Sequence, residues 1–145
     1  MFRCISFEVH FFCTYSRMRC MNVLGIDYGT KRIGIAIGNT EERIAFPRVV
    51  LKNDEVIMQV FREFIQKESI ECIVLGLPKM LSGKESDMTD EVYTFAKKLE
   101  QESTLPIYFE EERFSTKAVR PGTVKKTDID AASAALILQT YLDRI

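Results

Sequence analysis

Histidine is nearly missing from this chain, which carries only His10 among 145 residues. A Ser-His-Asp or Cys-His apparatus, or a zinc site rich in histidine, would have to use that one ring. Cysteine is sparse as well, and Cys4, Cys13, Cys20 and Cys72 contain no C-x-x-C pair. The pattern suits reduced thiols in the cytosol better than a disulfide framework. A site made from Cys4, His10, Cys13 and Cys20 would match no standard zinc module. No apolar run approaches the ~18 residues that a membrane-spanning helix needs. Excess charge is lacking too: 20 Lys and Arg against 21 Asp and Glu leave a formal net charge of −1. Any contact with nucleic acid must therefore come from a local patch rather than from the global field. If the chain is an enzyme, carboxylates are left to carry its chemistry.

What is present describes an ordinary folded domain. At 46% hydrophobic and 28% charged residues, the composition is that of a globular protein, and the length suits one domain with its own core. The first twenty residues stand apart. Met1 to Cys20 has no Leu, Gly or Ala and is crowded with Phe and Cys. Glu8 and His10 interrupt its apolar stretch, so it makes a poor signal peptide, and the alternation of Phe7, Val9 and Phe11 with them allows an extra edge strand. Met18 and Met21 lie just before the first convincing strand. The expectation is a domain over residues 21–145, with residues 1–20 an extension upstream of the native start.

From Asn22 onward the pattern predicts strands over Asn22–Tyr28, Lys31–Asn39 and Arg43–Leu51, an antiparallel meander with a tight turn at Gly29-Thr30. Pro47 argues for an edge or a bulge in the third strand. In the second, Ile33, Ile35 and Ile37 share one face, while Gly34, Ala36 and Gly38 leave the other open to a close neighbour. A helical period follows over Asp54–Lys67. Then come a continuous apolar strand at Glu71–Leu77, a polar loop at Pro78–Asp87 and a helix over about Met88–Glu102. A fifth strand is expected at Leu105–Phe109. A final helix is expected over about Ile129–Asp143, capped by Thr127 or Asp128. The order βββ-α-β-α-β-α predicts an α/β fold, a mixed five-stranded sheet flanked by helices.

Three carboxylates stand at ends of these elements. Asp27 closes the first strand, on the face of Gly25, although an Asp before Gly is also a common turn former. Glu112 belongs to the run Glu110-Glu111-Glu112, which could equally be a solvated acidic edge. Asp130 sits in the first turn of the last helix, where an acid also serves the helix dipole. After the glutamates the sign reverses: Arg113, Lys117, Arg120, Lys125 and Lys126 come with no acid among them. Acids able to hold a cation, followed by bases able to hold phosphates, form a layout suited to phosphodiester cleavage. Hard oxygen donors of this kind favour Mg²⁺ or Mn²⁺.

Four segments together resemble the YqgF family of Holliday-junction-resolvase-like proteins, within the ribonuclease H-like superfamily. They are GIDYGTKRIGIAIG (Gly25–Gly38), VLGLP with the following SGKES (Val74–Ser86), EERFST (Glu111–Thr116) and IDAASAALILQTYLD (Ile129–Asp143). The resemblance spans about Met21 to Asp143. It implies a ribonuclease H-like fold and a metal-dependent nuclease that processes the 5′ end of pre-16S rRNA in the bacterial cytoplasm. Asp27, Glu112 and Asp130 then fall at the catalytic, metal-holding acids. Arg113, Ser115 and Thr116 match polar residues beside the central acid. Thr30, Lys31 and Arg32, with Lys117, Lys125 and Lys126, are the expected contacts to nucleic acid, and ribosomal particles are further expected partners. The family commonly has Asp where this chain has Glu111, which leaves open whether Glu111 or Glu112 enters the site.

Three other readings stand beside this one. A resolvase of branched DNA would need the same acids and groove. A non-catalytic module could bind RNA through the basic segment. The Asp-Tyr-Gly-Thr-Lys run also resembles the phosphate hairpin of the actin and sugar-kinase superfamily, whose members generally close two domains on a nucleotide, and this chain has room for one. The expected start is checked by the intact mass of the protein from its natural host. A mass beginning at Met18 or Met21 is expected, and a full-length product contradicts it.

Overall fold

The computed structural model describes residues 21–78, 87–112 and 126–145. Residues 1–20, and with them the predicted extra strand and the four-residue Cys/His set, lie outside the described residues. A five-stranded sheet runs in the order β3-β2-β1-β4-β5, built from β1 (Asn22–Asp27), β2 (Arg32–Asn39), β3 (Ile44–Lys52), β4 (Cys72–Pro78) and β5 (Ile107–Glu112). β1, β2 and β3 pair antiparallel, and β1, β4 and β5 pair parallel. The helices are α1 (Ile57–Lys67), α2 (Asp87–Ser103) and α3 (Lys126–Arg144). The predicted α/β architecture and strand order in sequence are the ones observed. Among the described residues no helix is long and apolar enough to cross a membrane.

The period-2 alternation of the strands divides the core in two. One set of side chains, including Leu24, Ile26, Ile33, Ile35, Ile73 and Leu75, packs with Phe61 of α1 and with Val92, Phe95 and Leu99 of α2. The opposite set, with Val23, Ala36 and Val74, packs against Ala134, Leu138 and Leu142 of α3. β4 is buried from Cys72 through Leu77, as a central strand covered on both faces must be. Pro47 lies on the edge strand β3, beside a bulge where Ile35 pairs with Val49 and Ala36 with Pro47. Both expectations for that proline hold.

The small-residue face of β2 receives α3. A Cβ at Gly34 would stand 2.0 Å from the Asp130 carbonyl oxygen, and one at Gly38 would meet the Leu142 side chain at 2.8 Å. The helix backbone lies directly on the strand where a side chain would otherwise be.

Element limits differ from the sequence reading in ways that have physical causes. Arg43 adopts the left-handed region at φ 54°, so β3 starts one residue later, at Ile44. The predicted first helix begins later than Asp54. The Asp54 side chain accepts the Val56 N–H at 3.2 Å in a turn, and helix begins at Ile57. α1 ends with Ser69 left-handed, its N–H bonded to Gln66 and that of Ile70 to Ile65, a Schellman closure. β5 does not stop at Phe109. Backbone pairing to Gly76, Leu77 and Pro78 carries it through all three glutamates. α3 begins at Lys126, upstream of the expected caps Thr127 and Asp128, which places Asp130 in the second turn rather than the first.

Gly34→Ala should lower the unfolding free energy by about 2 kcal/mol or more, because the obstructing atom is backbone and the whole helix must move. Chemical denaturation measures this, and a variant as stable as the parent contradicts the packing described.

Candidate active site

Side-chain parity decides which acids share a face. Asp27 follows Gly25 on the α3 side of β1, and Glu112 follows Tyr108 and Glu110 on the α3 side of β5. Glu111 points to the other face and is exposed. The open choice between Glu111 and Glu112 therefore falls to Glu112 by pleat alone.

Asp27 and Glu112 meet across β4 in a direct carboxyl–carboxyl hydrogen bond. Burial pushes the Asp27 carboxyl up from its ordinary 3.8 to about 8, with further contributions from the charges of Glu112 and Asp130 and from the bond to Glu112. Burial raises Glu112 as well, opposed by its hydrogen bond with Asp27, which lowers it. Burial thus favours the protonated form of the pair, which can share one proton through its hydrogen bond.

Asp130 is the third member, close enough to raise Asp27, but its own carboxylate is engaged by Arg32, with Nε 3.3 Å from Oδ2. Among the described residues no three of His, Cys, Asp and Glu form a ready-made cage for one metal ion. What is assembled is a hydrogen-bonded carboxyl pair with a guanidinium-bound acid beside it.

The predicted nucleic-acid contacts are only partly described. Thr30 and Lys31 are exposed in the β1–β2 turn, and Arg32 opens β2. Arg113, Ser115, Thr116, Lys117 and Lys125 lie outside the described residues, and Lys126 is placed only as the first residue of α3.

Two features escaped the sequence reading. Asn53 clamps the turn: its side-chain amide donates to the Gly29 carbonyl at 2.9 Å, and its N–H donates to the Lys31 carbonyl at 3.0 Å. The hydrophobic period gives no sign of this, though Asn at a strand end is a common turn former. Glu110 is not part of a solvated acidic edge. It is 3% exposed and paired with Arg144 at the end of α3. The inward parity of Tyr108, Glu110 and Glu112 was the available signal.

A cleft of about 350 Å³ opens on the other face of the sheet, where Tyr28 and Phe95 are flanked by Asp54, Glu55, Asp90 and Glu91. It contains none of the three acids, although Asn53 reaches it, and Asp54, Glu55, Asp90 and Glu91 outweigh Lys98 on its rim, which disfavours phosphate.

This fold is the ribonuclease H-like fold of the resolvase RuvC. The Thermus thermophilus RuvC structure solved with a Holliday junction substrate superposes with a TM-score of 0.56, at 13% sequence identity, over 86% of this chain and 94% of that one. The family and the relatives that the chain matches put it in the class of nucleases, hydrolases of phosphodiester bonds. Residues 21–144 match the family described as "RuvX: Holliday junction resolvase", and the chain belongs to that family. A relative from Rickettsia rickettsii (strain Sheila Smith) is 36% identical over 133 residues, 85% of this chain and 86% of its own length. One from Maridesulfovibrio salexigens is 35% identical over 134 residues, 86% of this chain and 99% of its own. Each carries the name "Putative pre-16S rRNA nuclease".

The shared proton has a consequence for stability. Between about pH 4 and pH 8 the folded chain holds a proton that the unfolded chain releases, so in chelator its stability should fall as pH rises through that window. Asp27→Asn removes this dependence. Its stability advantage over the parent should grow by about 1 kcal/mol or more from pH 5 to pH 8. Thermal melts at the two pH values check this, and an equal difference at both contradicts it.

Proposed function

We propose that this chain is a divalent-metal-dependent nuclease that trims the 5′ end of pre-16S rRNA in the cytoplasm, using Asp27, Glu112 and Asp130. The observation that carries the reading is the convergence of the Asp27 and Glu112 carboxyl groups over Gly76, within hydrogen-bond reach of each other. A half-buried carboxyl pair in direct contact is a pocket short of positive charge, which a cation would relieve as a shared proton does. The donors are all hard oxygens, which fits Mg²⁺ or Mn²⁺ held by Asp27 and Glu112, with Asp130 adding its charge or its carboxylate. Such an ion supplies activation of a water and stabilisation of the leaving oxygen of the phosphodiester.

The remaining roles fall to the chain itself. Arg32 holds Asp130 on the rim of the pair. Thr30 and Lys31, exposed in the turn that Asn53 clamps, would contact the phosphate backbone of the substrate. Arg113, Ser115, Thr116, Lys117, Lys125 and Lys126 extend that contact along the substrate, where ribosomal particles carrying the precursor would dock.

Pre-16S rRNA as the substrate is supported by the names of the Rickettsia and Maridesulfovibrio relatives. Cleavage of branched DNA is the second reading, favoured by the description of the matching family. A purely RNA-binding module has less to recommend it, since bringing two half-buried acids together costs stability and gives a scaffold nothing in return.

Asp27→Asn, Glu112→Gln and Asp130→Asn should each reduce Mn²⁺- or Mg²⁺-dependent cleavage of a pre-rRNA leader by about 100-fold or more while RNA binding persists. Running a four-way DNA junction in parallel separates the two substrates. Preferential cutting of the junction transfers the function to DNA, and undiminished cleavage by the three variants sinks the carboxylate mechanism.

A further inference from the structure

The Asp27–Glu112 pair joins strands that are not neighbours. β1 and β5 lie on either side of β4, two strand spacings or roughly 9–10 Å apart. The β1–β4 pairing ends at Ile26 and Leu75, one residue before Asp27 and Gly76, and Gly76 is in turn the partner of Glu110 on β5. Gly76 therefore occupies the position over which any contact between the two acids must pass. A Cβ there would stand 2.4 Å from Glu112 Oε1 and 2.6 Å from Ile137 Cδ1.

We propose that Gly76 is a positioning residue: the side chain it lacks is the space in which the Glu112 carboxylate crosses β4 to reach Asp27. The inference rests on the assignment of those two acids to catalysis and adds what holds them together. It differs in kind from the glycine on the neighbouring face of β2. At Gly34 the obstructed atom is backbone of α3, so a methyl there displaces a helix. At Gly76 both obstructed atoms are ends of side chains, so a methyl displaces the Glu112 carboxylate and leaves the sheet standing. The same geometry explains the length of the acid. A glutamate can span the intervening strand from β5, and an aspartate at position 112 falls short by one methylene.

The test compares Gly76→Ala, Glu112→Gln, Glu112→Asp and the Gly76→Ala/Glu112→Gln and Gly76→Ala/Ile137→Val doubles. Cleavage of a pre-rRNA leader and Mn²⁺ affinity by calorimetry are the readouts. Gly76→Ala should keep a cooperative melt, lower kcat at least tenfold with KM for RNA within threefold, and weaken Mn²⁺ binding about tenfold. In the Glu112→Gln background the alanine should cost nothing further. Ile137→Val, which relieves crowding on the α3 side only, should not restore activity. Glu112→Asp should be as impaired as Glu112→Gln, an arm that requires no change at the glycine. Loss in Glu112→Gln with full activity in Gly76→Ala overturns the inference alone, as does recovery through Ile137→Val or full activity in Glu112→Asp. Full activity in Glu112→Gln overturns the site assignment, and the inference falls with it.

Discussion

Everything at the functional end of this domain depends on one unfavourable contact, two carboxyl groups pressed together in a half-buried place. The sheet brings Asp27 and Glu112 to the ends of parallel strands on either side of β4, and α3 covers the face from which they project. Burial pushes both carboxyls toward their protonated forms, so neither gains by being ionised there. Such strain is the usual mark of a site arranged for charge that arrives from outside. In the proposed nuclease the arriving charges would be a cation and a phosphodiester, and the pair would take the first.

The rest of the architecture serves to keep α3 close. The helix can lie against β1 and β2 only because Gly25, Gly34 and Gly38 present no side chains there, and Ala134, Leu138 and Leu142 fill the seam. That closeness brings Asp130 within electrostatic range of Asp27, while Arg32, two residues before Gly34 on the same face, takes its carboxylate. At the other end of the helix, Arg144 neutralises Glu110 and ties β5 to α3. The two ion pairs thus bracket the helix, one near each end, with the acid pair on the strands beside its first turns.

Much of this was legible in the amino-acid order, because strands and helices are written in hydrophobic period. The meander, the doubly covered β4 and the small-residue face of β2 follow from alternation alone. So does the choice of Glu112 over Glu111, once β5 is extended through the acidic run. That extension was missed because three successive glutamates read as the end of a strand, whereas pairing with Gly76, Leu77 and Pro78 overrides the poor propensity. The start of α3 was missed for a similar reason: Thr127 and Asp128 are good caps, yet the helix passes through them. Contacts set by tertiary distance left no trace in the sequence, among them the Arg32–Asp130 pair, the Asn53 clamp and the space at Gly76. No local pattern distinguishes a glycine that admits a carboxylate from one that merely suits a strand.

The central claim is that Asp27 and Glu112 hold a proton in the place of a divalent ion. Its most direct measurement is the titration of the Asp27 carboxyl carbon by NMR, with and without Mg²⁺. The account predicts a midpoint near 8 in the metal-free protein and a fall to the ordinary carboxylate range or below once Mg²⁺ is added. A metal-free midpoint near 4, or one near 8 that saturating Mg²⁺ leaves in place, would contradict it.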